Sequence, residues 1–377
     1  MIQQIKDLPE VLAASAELRK INSRERDEIE SSKLSKLLEK NKKKIQQPTI
    51  GMSKRGEPMT DIMKGNLLLH THVLRDSKNA DDLLPALKKD IDDMLCHVPD
   101  LMEGLIEMSH QRKFVNTTFH AIKFSQCLVQ AIWLSSSPFM QLPGMDDELI
   151  ANINKGKKKN SNLFASFIRD PLAYQSALQV QDKNVMEGIA STCNVIPHMK
   201  VDYKLFVEDE ENDNFYDDNE ELGEVDAGPS KKGSGRSYDP NISKKGEVIK
   251  GDSIYEGDLV TLRVTMNREN VTEGSKAPMV HAPFFPRAIS EVWWLILTDT
   301  SSSKKHEVNI HAVERITDQS KIVTHEIRFM APNQVGDFKM ELNVLCEAYA
   351  GIDQIMDIEF TVLSSEDLPE YEAHPEV

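Results

Sequence analysis

The chain has 377 residues, of which 40% are hydrophobic and 28% are charged, and its net charge at pH 7 is −16. This length predicts two or three domains with cores of ordinary density. The acidic balance disfavours non-specific binding of nucleic acid by the whole surface, although it leaves room for a local basic patch.

Neither a membrane helix nor a secretory signal is predicted. No apolar run approaches the roughly 18 residues that a membrane helix needs, and residues 1–26 lack the apolar core of a signal peptide. The four cysteines are widely spaced and none forms a CxxC pair, so we expect reduced, mostly buried thiols. The chain itself is therefore expected to be soluble.

Helical spacing of apolar residues dominates the first half of the chain. It predicts a helical domain over 1–137, in which Pro99 separates two helices. The strongest predicted helix covers 116–135, and its stripe at three- and four-residue steps includes Gln126 and Gln130 among apolar residues. The predicted helices of this domain cover 1–23, 27–43, 62–75, 80–96, 101–112 and 116–135.

The segment 138–196 predicts a cluster of short helices that resembles a helix-hairpin-helix arrangement. Pro143 and Gly144 break the chain, and an aspartate can cap the short helix that follows. Lysines then fill 154–160, and such a hairpin can offer lysines to phosphates. The hairpin lacks the second glycine of that motif, so solvated loop lysines are the favoured interpretation.

In the second half of the chain the hydrophobic period changes to alternation, which predicts strands. Val260, Val264 and Met266, for example, should share one face of a strand. Seven strands with turn residues between them predict an immunoglobulin-like or fibronectin type III-like β-sandwich over 197–365, and hence a multidomain α+β fold. The predicted strands cover 201–207, 258–266, 291–299, 306–316, 322–332, 336–349 and 356–363.

Two acidic stretches stand out. From Glu208 to Asp226 there are 11 acidic residues and no Lys or Arg, and Gly, Ser and Lys follow. This composition predicts a disordered insertion over about 208–250, and a second acidic stretch forms the tail 366–377. Such stretches act either as solvated linkers or as charged docking segments for a basic partner. The candidate partner-binding acids are Glu208, Asp209, Glu210, Glu211, Asp217, Asp218, Glu366 and Asp367.

An aromatic stretch, "HAPFFPRAISEVWWLILTD", covers 281–299. Strand alternation places Trp293 and Trp294 on opposite faces. Because Trp293 is in step with Leu295 and Leu297, we expect it inside the sandwich. Trp294 would then face outward or lie under a loop, which makes it a further candidate for partner contact.

No group of residues selects a catalytic, cofactor or metal site. Residues 246–253 hold two glycines of a phosphate-binding loop, but Asp252 stands where that loop needs a lysine. His70 and His72 would point to nearly opposite sides of a helix, so one metal ion could not easily take both. We therefore expect a protein without enzymatic activity, cofactor or metal.

Taken in chain order, several motifs resemble one family. "NLLLHTHVLR" (66–75), the aromatic stretch 281–299 and "FMAPNQVGDFKMELNVLCEAYAGIDQ" (329–354) are similar to signatures of the Sec-sixty-three domain family, and the resemblance covers roughly 8–363. One departure is Cys346–Glu347, where the family often has Ser-Asp. The family occurs in the J-protein subunit of the ER protein-translocation complex and in large helicases of the splicing type.

The resemblance carries expectations about function. The insertion and the acidic tail look more like the translocation subunit, which implies a non-enzymatic scaffold at the cytosolic face of the ER membrane that supports post-translational protein import. Its implied partners are the protein-conducting Sec channel and a small accessory translocon subunit. The lumenal chaperone BiP would be recruited only through a J-domain, which this chain lacks, and nucleic acid is not expected as a partner. The alternative is the corresponding module of a splicing-type RNA helicase, which would assist nucleic-acid binding.

Overall fold

The computed structural model of the chain describes residues 5–41, 59–74, 83–155, 163–178, 183–207, 236–238, 254–299 and 308–367. Helices occupy the N-terminal half of these residues and strands the C-terminal half. The α+β class predicted from the change in hydrophobic period is therefore confirmed.

Ten α-helices are found among the described residues, and short 3-10 turns lie between some of them. Their buried faces share one continuous apolar core with the strands. The helices are α1 (Leu8–Ala13), α2 (Ala16–Asn22), α3 (Glu28–Asn41), α4 (Asp61–Leu74), α5 (Pro85–Gln111), α6 (Val115–Gln130), α7 (Asp147–Asn154), α8 (Leu163–Arg169), α9 (Gln175–Leu178) and α10 (Lys183–Val195).

The predicted break at Pro99 is wrong, because α5 continues through it. A proline inside a helix removes one backbone hydrogen bond and crowds the preceding turn. The helix nevertheless continues, because residues on both sides, such as Val98 and Met102, are fully buried on one face. Ending the helix at Pro99 would withdraw part of that face from the core.

Two other helix ends differ from the predictions. The predicted helix over 1–23 is interrupted, because the Ser15 side chain accepts a hydrogen bond from the Leu18 amide at 3.3 Å and starts α2 as a new helix. The helix predicted to reach residue 135 ends at Gln130, because Ala131 adopts a left-handed conformation with φ 50°.

A buried ion cluster ties the first helices together. The Lys64 Nζ of α4 lies 2.7 Å from the Asp90 Oδ2 of α5, and both side chains are buried. Arg24, between α2 and α3, reaches the same Asp90 oxygen at 2.7 Å and Glu30 of α3 at 2.9 Å. Four segments of the chain therefore meet at one charged point in the helical core.

The strands of the described residues form two sheets. The strands are β1 (Met199–Val207), β2 (Arg236–Tyr238), β3 (Ile254–Tyr255), β4 (Leu259–Arg268), β5 (Trp293–Asp299), β6 (Asn309–Ile316), β7 (Ile322–Met330), β8 (Gly336–Cys346) and β9 (Gln354–Leu363). The first sheet has the order β2-β1-β4-β7 and is antiparallel throughout. The second has the order β3-β9-β8-β5-β6 and is antiparallel except for the short β3–β9 pair.

The two sheets contact each other through their inner faces. The ring of Phe329 on β7 lies 5.9 Å from that of Phe360 on β9, and the Tyr203 hydroxyl of β1 donates to the Asp357 carbonyl of β9 at 2.8 Å. The predicted inner face of β4 is confirmed, since side chains such as Val260 and Met266 are fully buried.

Most of the predicted insertion, 208–250, lies outside the described residues. The part that is described, Arg236–Tyr238, is a short strand that pairs with the end of β1. The sequence predicted no strand there, because its Gly- and Ser-rich surroundings carry no alternating pattern.

Candidate partner-binding surface

Glutamines from the helical half bind main-chain groups of the sheet half. Gln126 Nε2 of α6 donates to the Cys346 carbonyl at 2.6 Å, and Gln130 Nε2, one turn later, donates to the Ala348 carbonyl at 2.8 Å. Gln141 bonds Ala350 twice, because its amide nitrogen donates to the carbonyl at 2.7 Å and its oxygen accepts from the amide at 3.2 Å.

These contacts define a seam between the two halves of the molecule. The helical stripe predicted over 116–135 includes Gln126 and Gln130, but the pattern assigns them no role. The signal that could have identified them is their position among residues that face the core. A buried glutamine amide group needs hydrogen-bond acceptors, so such a side chain is expected to bind a group of another segment.

The segment after β8 completes the seam. Gly351 has φ +83°, and a side chain there would come within 2.7 Å of Pro138. Only glycine fits this close approach without strain. The next residues are also fixed, since Gln354 Nε2 donates to the Met199 carbonyl at 2.8 Å. The "GIDQ" part of the family-like signature therefore joins the sheets to the helices.

Asp353 is the charged member of this segment. Its carboxylate accepts from Gln126 Nε2 at 3.1 Å and from the Cys346 amide at 2.9 Å. Burial raises the pKa of Asp353 to about 6, and the two hydrogen bonds and the positive charge of Lys123 only partly oppose that effect. The group therefore titrates well above an ordinary aspartate.

The signature "EVWW" has a structural explanation. Glu291 forms a buried ion pair with Arg268 of β4 and accepts a hydrogen bond from the Trp293 indole at 3.2 Å. Trp293 is fully buried, so the prediction that it lies inside is confirmed.

The sequence predicts that Trp294 faces outward or lies under a loop, and the outward placement is wrong, because its side chain is only 2% exposed. Its indole donates to Glu347 at 3.1 Å, and the Arg315 guanidinium lies 5.9 Å from its ring. Arg315 in turn pairs with Glu103 of α5 at 2.9 Å, so a helix covers this face of the second sheet. Trp294 is therefore a packing residue, and Glu347, which departs from the family pattern, is its acceptor.

The exposed aromatic residue of the stretch is Phe284. Its side chain is 47% exposed, whereas the neighbouring Phe285 is buried. The loop that carries them is anchored, because the His281 amide donates to the Tyr349 hydroxyl at 2.7 Å and the Val280 amide donates to the Ile289 carbonyl at 2.9 Å. An apolar ring on an anchored loop is a candidate partner contact that strand alternation could not identify.

Of the acids predicted to bind a partner, Glu366 and Asp367 lie within the described residues. The six candidates between 208 and 218 lie outside the described residues. Glu366 is exposed in the 3-10 turn Ser365–Asp367 that follows β9. Asp367 belongs to the same turn.

A cleft lies between α8, the segment Pro197–Met199 and the start of β9. Its volume is about 660 Å³. Residues 351–356 form one wall, and Ala165, Ser166 and Arg169 contribute to another. Asp353 is among the residues that line it.

The two histidines of the "HTH" motif make separate contacts. His70 Nδ1 lies 3.0 Å from the Asn66 carbonyl, and His72 Nε2 lies 2.7 Å from the Leu128 carbonyl. Within the described ranges, no three His, Cys, Asp or Glu side chains converge as a metal site. The expectation of mostly buried thiols is confirmed, since all four cysteines are free and three are buried.

None of the helices in the described part of the chain combines the length and the apolar character that a bilayer crossing requires.

Comparison with known proteins finds two kinds of relative. The human U5 small nuclear ribonucleoprotein 200 kDa helicase is 23% identical over 351 residues, which is 93% of this chain and 13% of the helicase. The Arabidopsis thaliana DExH-box ATP-dependent RNA helicase DExH12 is 22% identical over 293 residues, or 78% of this chain and 11% of the helicase. The Arabidopsis thaliana DnaJ protein ERDJ2A is 26% identical over 265 residues, or 64% of this chain and 31% of that protein.

The chain thus spans between about a tenth and a third of the length of these relatives. A family model, the Sec63 Brl domain, matches residues 2–359 and includes both the seam and the anchored aromatic loop. The chain belongs to the Sec63 Brl domain family.

Proposed function

We propose that this chain is a non-enzymatic scaffold of the ER Sec translocon. It would bind the protein-conducting channel and a small accessory subunit on the cytosolic side and so support post-translational import into the ER. The similarity to the DnaJ protein ERDJ2A, at 26% identity, supports this assignment. The net charge of −16 suits partners with basic cytosolic segments.

The observation that carries the proposal is the anchored loop with Phe284. A scaffold needs a contact residue that is exposed yet held in place, because a pre-ordered side chain loses little entropy on binding. Phe284 meets this requirement through the bonds of His281 and Val280. The predicted acids, Glu208 to Asp218 together with Glu366 and Asp367, would add attraction to a basic partner.

The direct test is co-sedimentation of the purified chain with ER microsomes that contain the translocon. We expect binding that weakens between about 50 and 500 mM salt, because charge attraction is screened over this range. Phe284→Ser should weaken binding about tenfold, whereas Phe114→Ser, at a partly exposed phenylalanine of the helical half, should leave it unchanged.

Replacing the six candidate acids of this segment, Glu208, Asp209, Glu210, Glu211, Asp217 and Asp218, by the corresponding amides should reduce the salt dependence of binding. The proposal would be contradicted if no binding is observed, or if the affinity changes neither with salt nor with Phe284→Ser.

A second function rests on the helicase relatives, which align over as much as 93% of the chain. In that case the chain would assist an RNA helicase by binding nucleic acid. RNA binding at physiological salt that is lost when the lysines of 154–160 are replaced by glutamine would favour this function over the first.

We also propose a finer division of the fold. The two sheets would form a fibronectin type III-like sandwich over 197–365, preceded by a helical domain over 1–137 and a helix-hairpin-helix-like segment over 138–196. The acidic tail would cover 366–377. The packing of two sheets face to face, antiparallel apart from the short β3–β9 pair, supports the sandwich.

A further inference from the structure

The cleft beside β9 has an open strand edge as one wall. On the β3 side of β9, the Leu363 carbonyl accepts from the Glu256 amide and the Asp357 carbonyl accepts from the Tyr203 hydroxyl. Alternate residues of a strand point their N–H and C=O groups to the same side. The main-chain groups of Ile355 therefore face that side too, where β3 does not extend, since it pairs only with Val362 and Leu363.

The cleft also holds a carboxylate without an ion-pair partner among the described residues. Asp353 accepts only the neutral donors Gln126 and the Cys346 amide. The cation of the cleft, Arg169, is already paired with Glu269. Burial lowers the pKa of His198, so this side chain adds no charge near pH 7. The positive charge of Lys123 also acts on Asp353, but Lys123 does not line the cleft. Among the residues that line the cleft, the charge without an ion-pair partner is therefore the carboxylate of Asp353.

The cleft is also lined by an exposed apolar side chain, that of Ile355. Ile355 is 66% exposed, although it lies in a strand whose neighbouring residues Ile358 and Phe360 are buried in the core. An exposed isoleucine next to an open edge and a carboxylate offers the three kinds of contact that an extended peptide uses: main-chain bonds, apolar cover and charge.

We propose that this cleft receives an extended segment of a partner protein in which a lysine or arginine is flanked by apolar residues. The main chain of the segment bonds Ile355, its apolar side chains cover the Ile355 side chain, and its cation pairs with Asp353. The cleft volume, about 660 Å³, is in the range that binds a few residues. This inference goes beyond the scaffold function and does not depend on it, because the cleft and the Phe284 loop are different surfaces.

The test uses three pools of fluorescent octapeptides whose central residue is lysine, glutamate or norleucine and whose flanking positions are mixtures of small apolar residues. Binding to the full chain is measured by fluorescence polarisation at physiological salt. We expect the lysine pool to bind at least tenfold more tightly than the glutamate pool.

A net charge of −16 would attract any basic peptide, so variants must separate the cleft from the general field. Ile355→Ser should weaken binding of the lysine pool about fivefold, whereas Ile322→Ser, at an exposed isoleucine of the first sheet, should not. Asp353→Asn, which keeps an oxygen acceptor for the Cys346 amide, should abolish the preference for lysine over norleucine.

A lysine pool methylated on alternate backbone amides keeps its charge but loses hydrogen bonds to the strand edge, and it should bind at least fivefold less tightly. Two results would overturn the proposal. One is equal binding of the lysine and glutamate pools, which includes the absence of binding to both. The other is a lysine preference that survives Ile355→Ser, Asp353→Asn and backbone methylation, since that pattern reports surface charge alone.

Discussion

At the scale of single residues, Asp353 links the stability of the seam to pH. Its pKa is about 6 in the folded chain, raised from an ordinary value of 3.8. The folded state therefore holds a proton that the unfolded state releases between about pH 4 and pH 6, so this group's contribution to stability falls as pH rises through that window. The change amounts to at most about 3 kcal/mol, from about 1.4 kcal/mol per pKa unit.

The measurement is the free energy of urea unfolding between pH 4 and pH 7.5 for the wild type and for Asp353→Asn. Other titrating groups cancel in the difference between the two proteins. The wild type should lose stability relative to the variant from pH 4 to pH 6 and run parallel to it above pH 6.5. A difference that is constant over the whole range would show that Asp353 keeps an ordinary pKa.

Asp90 is a second residue whose environment decides its role. Burial alone would raise its pKa, but the hydrogen bonds from Arg24 and Lys64 hold the pKa below its usual value. Asp90→Ala would leave the buried Lys64 without its counter-ion, and we expect a loss of about 3–5 kcal/mol in the free energy of unfolding.

Lys64→Met is the matched control, because Asp90 would keep its bond to Arg24 and the methionine fills a similar volume. It should cost clearly less than Asp90→Ala in the same urea unfolding experiment. Equal losses would mean that the cluster acts by packing and not by charge compensation.

At the scale of elements, α5 shows that burial of a helix face can outweigh the tendency of proline to end a helix. Pro99 is partly exposed inside the helix, where it costs one hydrogen bond. Pro99→Ala restores that bond and should raise the free energy of unfolding by about 1–3 kcal/mol. Pro85→Ala in the first turn of the same helix should bring no gain, because a proline there removes no intrahelical bond. Thermal unfolding of the two variants checks this, and a destabilised Pro99→Ala protein would contradict it.

The strands were the most predictable elements, and particular residues show why. Alternation places Trp293 and Met266 inside because the period of a strand is a local property. Alternation also places Trp294 on the opposite face, but the sequence does not say that Glu103, nearly 200 positions earlier, belongs to the helix that covers this face. A residue on an outer strand face is exposed only if nothing packs on it, and that information is not local.

At the scale of the whole molecule, the seam was the least predictable feature. In the sequence, Gln126 looks like any other polar residue of a helix. Its acceptor, the Cys346 carbonyl, is a backbone group that every residue has, so residue type does not identify the pair. The resemblance of 329–354 to a family signature indicated that the segment matters, yet only the structure relates Gly351 to Pro138. The α+β order followed from hydrophobic period, whereas the joint between the halves depended on contacts across more than 200 positions.

The seam should make the helical and sheet halves unfold together. Replacing Gln126 and Gln130 by alanine leaves the Cys346 and Ala348 carbonyls buried without their donors, which should cost about 2–4 kcal/mol in total, because each lost bond leaves an unsatisfied acceptor. Calorimetry of the wild type should show one transition, and the double variant should show two, since the halves lose part of their coupling while each keeps its own secondary structure. Gln111→Ala at the exposed end of α5 is the control and should leave a single transition. A double variant that melts like this control would mean that apolar packing alone holds the two halves together.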